Sequence, residues 1–136
     1  MIISIDKTEH EVPITILSVQ GNLDGSNYME LVSKAHELYN AGMRNVILDM
    51  TGIPFMSSSG IVALHTIALL LRDERLPELE NSWAALSNVA NENSGLQQHI
   101  KLVNLQPRVY KTLEITGMNN FFEFYADLAL AVASFL

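Results

Sequence analysis

The chain has 136 residues, of which 49% are hydrophobic and 17% charged, as is usual for one globular domain. Its 15 acidic and 8 basic residues give a formal net charge of −7 at pH 7. This charge argues against non-specific binding to nucleic acid or to anionic membranes, because both require a positive surface. The absence of cysteine excludes disulfides, thiolate metal sites and cysteine nucleophiles.

The first ten residues carry charges where a signal peptide would have its apolar region. The longest fully apolar run, Ile67 to Leu71, is far shorter than the ~20 residues that cross a bilayer. We therefore expect a cytoplasmic protein that is not inserted in a membrane.

The first two predicted elements are strands, at residues 2–6 and 12–19. Ile14 and Ile16 are predicted to point inward. Pro13 suits the start or the edge of a strand, because proline cannot donate a ladder hydrogen bond.

A turn at residues 21–26 leads into the first predicted helix, which Gly42 ends. Its apolar positions are spaced so that they share one helical face: Tyr28, Leu31, Val32, Ala35, Leu38 and Tyr39. Residues 45–49 then predict a short strand of the buried parallel kind.

Residues 51–59 predict a loop, and a second helix starts among the serines at 57–59 and runs from Gly60 to about Arg72. One apolar face is predicted for this helix: Ile61, Leu64, Ala68 and Leu71. His65 is predicted to be partly buried or solvated.

The C-terminal part continues with a strand at residues 100–105 and a helix between Pro107 and Gly117. A last strand is predicted at residues 121–125. Asp127 is predicted to cap a C-terminal helix.

Strands and helices alternate from residue 12 to the end, which indicates parallel strands joined by right-handed crossovers. The first strand is expected to pair antiparallel at one side. The predicted fold class is α/β, with a mixed, mostly parallel sheet of four to five strands covered by about four helices. We expect residues 1–136 to form a single domain.

Residues 73–98 are long for a helix-to-strand connection and are interpreted as an insertion. A helical stripe predicts an extra helix near residues 78–90: Leu76, Leu79, Trp83, Leu86 and Ala90. This helix either packs on its own domain or offers a contact surface to a partner or a second copy.

Three serines stand between a predicted buried strand and a predicted helix, at Ser57, Ser58 and Ser59. A hydroxyl at this place can cap backbone N–H groups. It can also carry a phosphate, which would meet the same N–H groups and the positive end of the helix dipole.

The order of these segments resembles the STAS family. A strand ending at Asp49, the loop Gly52-Ile-Pro-Phe-Met56 and Ser57-Ser-Ser-Gly60 before a helix are similar to its central motif. Further segments match the family in the same order: Val19-Gln-Gly-Asn-Leu-Asp24, Lys101-Leu-Val-Asn-Leu-Gln-Pro-Arg-Val109, and Leu113-Glu-Ile-Thr-Gly-Met118 followed by Phe121-Phe122.

The resemblance implies a regulatory protein of the anti-sigma-factor antagonist type rather than an enzyme. In that type, the anti-sigma factor is a serine kinase that binds the antagonist and phosphorylates the first serine of Asp-Ser-Ser-Gly. A metal-dependent serine phosphatase reverses the modification. By position the phosphoacceptor is Ser58, with Ser57 and Ser59 as alternatives. The implied partner-binding residues are Asp24, Ser57, Ser58, Ser59 and Gly60.

The chain departs from the family motif at Ser57, which replaces the usual Asp and removes a carboxylate beside the target hydroxyl. Ser58 therefore either carries the switch or only caps the helix. Asp24 and Asp49 are either functional or turn-stabilising residues. Two other functions remain open: a non-phosphorylated scaffold that assembles with other STAS subunits, and a STAS domain that binds a small ligand or nucleotide.

Catalytic and metal motifs are not recognised in the sequence. Residues 56–60 lack the first glycine of the Gly-Xaa-Ser-Xaa-Gly elbow, which argues against a serine hydrolase. The four histidines have no metal-ligand spacing, and no glycine-rich phosphate loop is present. We expect no catalytic residue, no metal and no cofactor.

Overall fold

The computed structural model describes residues 1–9, 12–72 and 97–135. Within these ranges the sheet has five strands: β1 Ile2–Glu9, β2 Pro13–Gln20, β3 Val46–Gly52, β4 Ile100–Val103 and β5 Glu123–Tyr125. The described α-helices are α1 Tyr28–Asn40, α2 Ser58–Leu71, α3 Pro107–Ile115 and α4 Leu128–Ala133. The extra helix predicted near residues 78–90 lies outside the described residues, as does nearly all of the predicted insertion at 73–98.

The strands lie in the order β1-β2-β3-β4-β5. β1 pairs antiparallel with β2, and every other neighbouring pair is parallel. The parallel pairs follow from the helical crossovers, because a crossover returns the chain to the same end of the sheet. The predicted mixed, mostly parallel α/β fold is therefore confirmed.

Successive residues of the central strands point to opposite faces of the sheet and enter two different apolar clusters. Leu17, Leu48 and Leu102 join the larger cluster, which also receives residues from α1, α2 and α3. Their neighbours Ile16, Ile47 and Val103 join a smaller cluster that α4 covers. The central strands β2, β3 and β4 are thus buried on both faces of the sheet.

The single apolar face predicted for α2 is wrong, because every residue from Gly60 to Leu71 is buried. Val62, Thr66 and Leu69 lie between the predicted core positions and are also less than 10% exposed. His65 is 1% exposed, so the prediction of a partly buried or solvated histidine is also wrong. A helix that is apolar on every side belongs in the interior.

Several predicted boundaries shift for local reasons. β3 extends to Gly52, because Gly52 still pairs with Gln20 of β2. β4 ends at Val103, since Asn104 adopts a left-handed backbone with φ 57°. Phe121 and Phe122 do not form strand as predicted; they follow a short 3₁₀ helix, Met118–Asn120, and their side chains pack into the core.

Three predicted helix signals are confirmed. The Asp127 carboxylate accepts a hydrogen bond from the backbone N–H of Leu130 at 2.8 Å and caps α4. Pro107 is the first residue of α3. Gly117 follows that helix with φ 77°, a left-handed conformation that suits glycine.

Candidate functional site

Two loops meet at the edge where the parallel strands β2 and β3 end. We call residues 21–26 the aspartate turn and residues 53–59 the serine loop. Leu23 and Met56 form a parallel β-bridge between the two loops. The backbone N–H of Leu23 donates to the carbonyl of Phe55 at 3.0 Å, and that of Ser57 donates to the carbonyl of Leu23 at 2.9 Å. These backbone contacts therefore hold Asp24 and the serines in neighbouring loops.

Ser57 is the N-cap of α2. Its backbone is extended, with φ −83° and ψ 175°, and its Oγ accepts a hydrogen bond from the Ser59 N–H at 3.2 Å. A serine caps a helix about as well as the aspartate that the resemblance led us to expect. The substitution at Ser57 consequently leaves the start of the helix intact.

Ser58 and Ser59 are the first two residues of α2 and are partly exposed. Neither hydroxyl makes a hydrogen bond within the described part of the chain. The first backbone N–H groups of a helix lack intrahelical acceptors, and together they form a weakly positive surface. A phosphate on either hydroxyl would lie beside these donors.

Gly60 lies beneath this surface rather than on it, because it is buried. A Cβ atom at this position would lie 2.3 Å from Cγ of Met56 and 3.0 Å from Cγ of Leu23. Gly60 thus permits α2 to approach both loops closely. Among the predicted partner-binding residues, the structure brings Asp24 and the three serines together at the surface and leaves Gly60 inside.

Asp24 is bound mainly by its own turn. Its Oδ1 accepts hydrogen bonds from the backbone N–H of Ser26 at 2.9 Å and from the Ser26 hydroxyl at 2.6 Å. These two hydrogen bonds, the hydroxyl first, lower the pKa of the Asp24 carboxyl and keep it ionised. The turn-stabilising interpretation therefore applies to Asp24, and its charge also remains at the surface beside the serine loop.

Asp49 lies within β3 rather than at its end. Its Oδ1 accepts hydrogen bonds from the backbone N–H and the hydroxyl of Thr51, at 3.1 and 2.6 Å. This geometry matches the turn-stabilising interpretation of Asp49.

Phe55 and Arg108 also lie at this edge, although the sequence marked them only as parts of the family motifs and gave neither a role. Phe55 lies in the serine loop and is 37% exposed, and the guanidinium of Arg108 lies 5.6 Å from the centre of its ring. The Gln106 side chain donates to the carbonyl of Thr51 at 2.9 Å and ties the start of α3 to the end of β3. Pro107, which begins a helix four residues after the end of the parallel strand β4, is the signal that could have placed Arg108 at this edge.

The arrangement does not resemble a hydrolytic site. His65 follows Ser58 by seven residues on the same helix, a rise of about 10 Å, and it is buried. Burial lowers the pKa of His65 to about 4, and Arg72 contributes to the same shift. No group of three His, Asp or Glu side chains in the described ranges could hold a metal ion.

None of the helices in the described residues is long and apolar enough to cross a membrane.

Solved structures with the same fold include three bacterial regulators. A proposed anti-sigma factor antagonist from Thermotoga maritima has a TM-score of 0.70 at 13% identity, over 96% of this chain and 92% of that chain. An anti-sigma factor antagonist from Mycobacterium paratuberculosis has a TM-score of 0.64 at 16% identity, over 97% and 92%. The phosphorylated form of SpoIIAA from Bacillus has a TM-score of 0.56 at 14% identity, over 97% of both chains. At these identities the likeness shows the fold alone.

No protein of curated function matches this sequence. The family model of the STAS domain matches residues 4–76, which include both loops of the site and all of α2. That match spans more than half of the 136 residues, and the chain therefore belongs to the STAS domain family.

Proposed function

We propose that this protein is an anti-sigma-factor antagonist-like regulator that binds a serine-kinase anti-sigma factor and is switched by phosphorylation of Ser58. One observation carries the proposal: Ser57 is occupied as the helix cap, whereas Ser58 is partly exposed and its hydroxyl makes no hydrogen bond in the described part of the chain. The protein is a binding partner rather than an enzyme, and we place it in the cytoplasm with its kinase and a serine phosphatase. Structural relatives include SpoIIAA in unphosphorylated and phosphorylated forms, which supports this class of switch.

The switch requires only local electrostatics. A phosphate on Ser58 adds about −1.5 to −2 charges at pH 7. The ionised carboxylate of Asp24 lies in the neighbouring loop, so the phosphate adds a second negative group close to the first. A partner that fits the unmodified surface would have to bury two like charges, the phosphate and the Asp24 carboxylate, and the desolvation of both is costly. A loss of ~3 kcal/mol would weaken its binding more than a hundredfold.

The three serines are not equivalent as acceptors. Phosphorylation of Ser57 would remove the cap from α2, because its Oγ accepts the Ser59 N–H. Ser59 lies against the aspartate turn, with its Oγ 3.5 Å from where a Cβ of Gly25 would be. Ser58 has neither constraint among the described contacts, and for this reason we prefer it to the two alternatives.

The test is phosphosite mapping by intact-mass and peptide mass spectrometry on protein from its own cells. We expect one phosphate on Ser58, which disappears in Ser58→Ala and persists in the matched control Ser59→Ala. A phosphate that persists in Ser58→Ala, or none under any growth condition, would contradict the switch.

A second candidate function is a STAS scaffold that is not phosphorylated and assembles with other STAS subunits. The serine at position 57 favours it, because the kinase would lose the carboxylate that the family motif places beside the target hydroxyl. Size-exclusion chromatography with light scattering tests the scaffold. A clean monomer would count against it.

A further inference from the structure

Phe55 is an exposed aromatic side chain on a rigid loop. Its neighbours in the serine loop, Ile53 and Met56, are 1% and 0% exposed, so they anchor the loop in the core. Its own carbonyl accepts a hydrogen bond from the N–H of Leu23. A 37% exposed ring on a fixed backbone presents apolar area to a partner with little conformational entropy to lose.

Arg108 extends this ring with a positive charge. It is exposed in the first turn of α3, and its guanidinium lies 5.6 Å from the ring centre of Phe55. No carboxylate within the described ranges forms a salt bridge with it. In a chain with 15 acidic and 8 basic residues, an arginine that makes no salt bridge among the described residues can pair with a carboxylate of another molecule.

The other strongly exposed apolar side chains lack such a setting. Ile115 is 75% exposed at the C-terminal end of α3, Ile2 is 62% exposed on β1, and Leu130 is 54% exposed on α4. None of these three belongs to a loop at the site, and single exposed apolar residues are normal on protein surfaces.

We infer that Phe55 and Arg108 form an anchor patch through which the protein docks on the serine-kinase anti-sigma factor. The partner surface that fits it is an apolar pocket for the ring, bordered by carboxylates that pair with the guanidinium. Ser58 follows Phe55 by three residues and belongs to the same serine loop, so a partner that docks on the patch would also approach the switch. Aromatic and arginine side chains that a partner desolvates together commonly dominate the energy of an interface. This inference rests on the proposed function, because the partner is the kinase proposed there.

The test measures binding of the full chain to each purified serine-kinase anti-sigma factor encoded by the source genome. Phe55→Ala and Arg108→Glu each carry one change in the patch. Ser58→Glu tests the switch independently of the patch. Two control variants make the same kinds of substitution away from the patch. Ile115→Ala removes an exposed apolar side chain at the far end of α3. Lys7→Glu reverses an exposed charge on β1, at the end of the sheet where β3 begins, because Lys7 pairs with Thr15 of β2 and Thr15 pairs with the first residue of β3.

We expect each patch variant to weaken binding at least about tenfold, while both controls remain within about twofold of the wild type. The affinity of the wild type should fall as salt rises, and Arg108→Glu should flatten this dependence, because the lost contact is an ion pair. A purely structural role of Arg108 would not change the salt dependence.

Each remaining result is decisive. Binding that is lost in Ser58→Glu but unchanged in both patch variants would overturn the patch and leave the proposed function standing. If the wild type binds none of the kinases, the proposed function fails and the patch loses its partner with it. Should Phe55→Ala lower the melting temperature, Arg108→Glu decides alone, because an acidic residue suits the first turn of a helix.

Discussion

At the scale of single residues, the start of α2 shows how hydrogen bonding and packing constrain neighbouring positions differently. Ser57 is used for its hydroxyl, which caps the helix, and an aspartate would serve equally. Gly60 is used for its lack of a side chain, because Met56 and Leu23 occupy the space that a Cβ would need. The motif that looks like one functional unit in the sequence therefore contains a cap, two accessible hydroxyls and a packing residue.

Gly60→Ala should destabilise the protein by about 1–3 kcal/mol through overpacking. The intrinsic preference for alanine in a helix has the opposite sign, about 1 kcal/mol in its favour, so the direction of the change reveals the clash. Urea unfolding measures the difference in free energy. Gly25→Ala is the matched control, since its Cβ would meet only the Ser59 Oγ at an ordinary 3.5 Å. A Gly60→Ala protein as stable as the wild type would show that the two loops can move apart at no cost.

At the scale of elements, α2 differs from the other described helices because every one of its residues from Gly60 to Leu71 is buried. The only imidazole on it, His65, contacts Phe121 at a centroid distance of 5.6 Å. Its Nε2 is buried and has no hydrogen-bond partner in the described part of the chain. The native helix accordingly requires a neutral histidine.

Stability should fall as the pH is lowered from about 6.5 to about 4, because His65 then binds a proton in the unfolded chain but not in the native protein. Because the pKa of His65 is lower in the folded state, this group does not reduce the free energy of unfolding at pH 7, and it reduces that free energy by up to ~3 kcal/mol below pH 4. Urea unfolding at a series of pH values gives the slope of the free energy of unfolding against pH. His65→Leu should flatten it over this range.

Exposed His36 on α1 supplies the control for the loss of a histidine as such, through the variant His36→Gln. Equal slopes for wild type and His65→Leu would mean that other titrating groups govern the acid range.

At the scale of the whole molecule, the last strand and the last helix close the smaller face of the sheet. β5 has only three residues, and it is tied to β4 by a salt bridge between Lys101 and Glu123. The ammonium of Lys101 also lies 4.9 Å from the ring centre of Phe135, and the hydroxyl of Tyr125 donates to Glu123. Lys101 is 5% exposed, and Glu123 is its salt-bridge partner among the described residues.

Glu123→Gln should lower the free energy of unfolding by about 1–3 kcal/mol, because it leaves a buried ammonium without its counter-charge. Lys101→Met should stay within about 1 kcal/mol of the wild type, since an apolar chain of similar length needs no partner. Urea unfolding of both variants makes the comparison. The exposed pair Lys34–Glu37 is the control, where Glu37→Gln should have little effect. If Lys101→Met were the more damaging of the two, packing against Phe135 would outweigh the charge.

Much of this architecture could be predicted from local patterns. Pro107, Gly117 and Asp127 marked the ends of helices correctly, because a missing N–H, a left-handed backbone and a capping carboxylate act within a few residues. The full burial of α2 could not be predicted in this way, since apolar residues on all sides of a helix do not reveal what covers them. Phe121 and Phe122 look like strand by composition, and only their packing into the core places them in a turn.

The sequence by itself determined the alternation of strands and helices, the mixed sheet and the family motif around Ser57 to Gly60, because these depend on periodicity and on residue types at short spacing. Only the tertiary structure decided which residues of that motif reach the surface. It placed Gly60 beneath the loops, Ser57 in the cap and Arg108 over Phe55, across 53 residues of chain. The physical reason is that exposure and long-range contact depend on how the ends of neighbouring parallel strands are brought together, which no local pattern encodes.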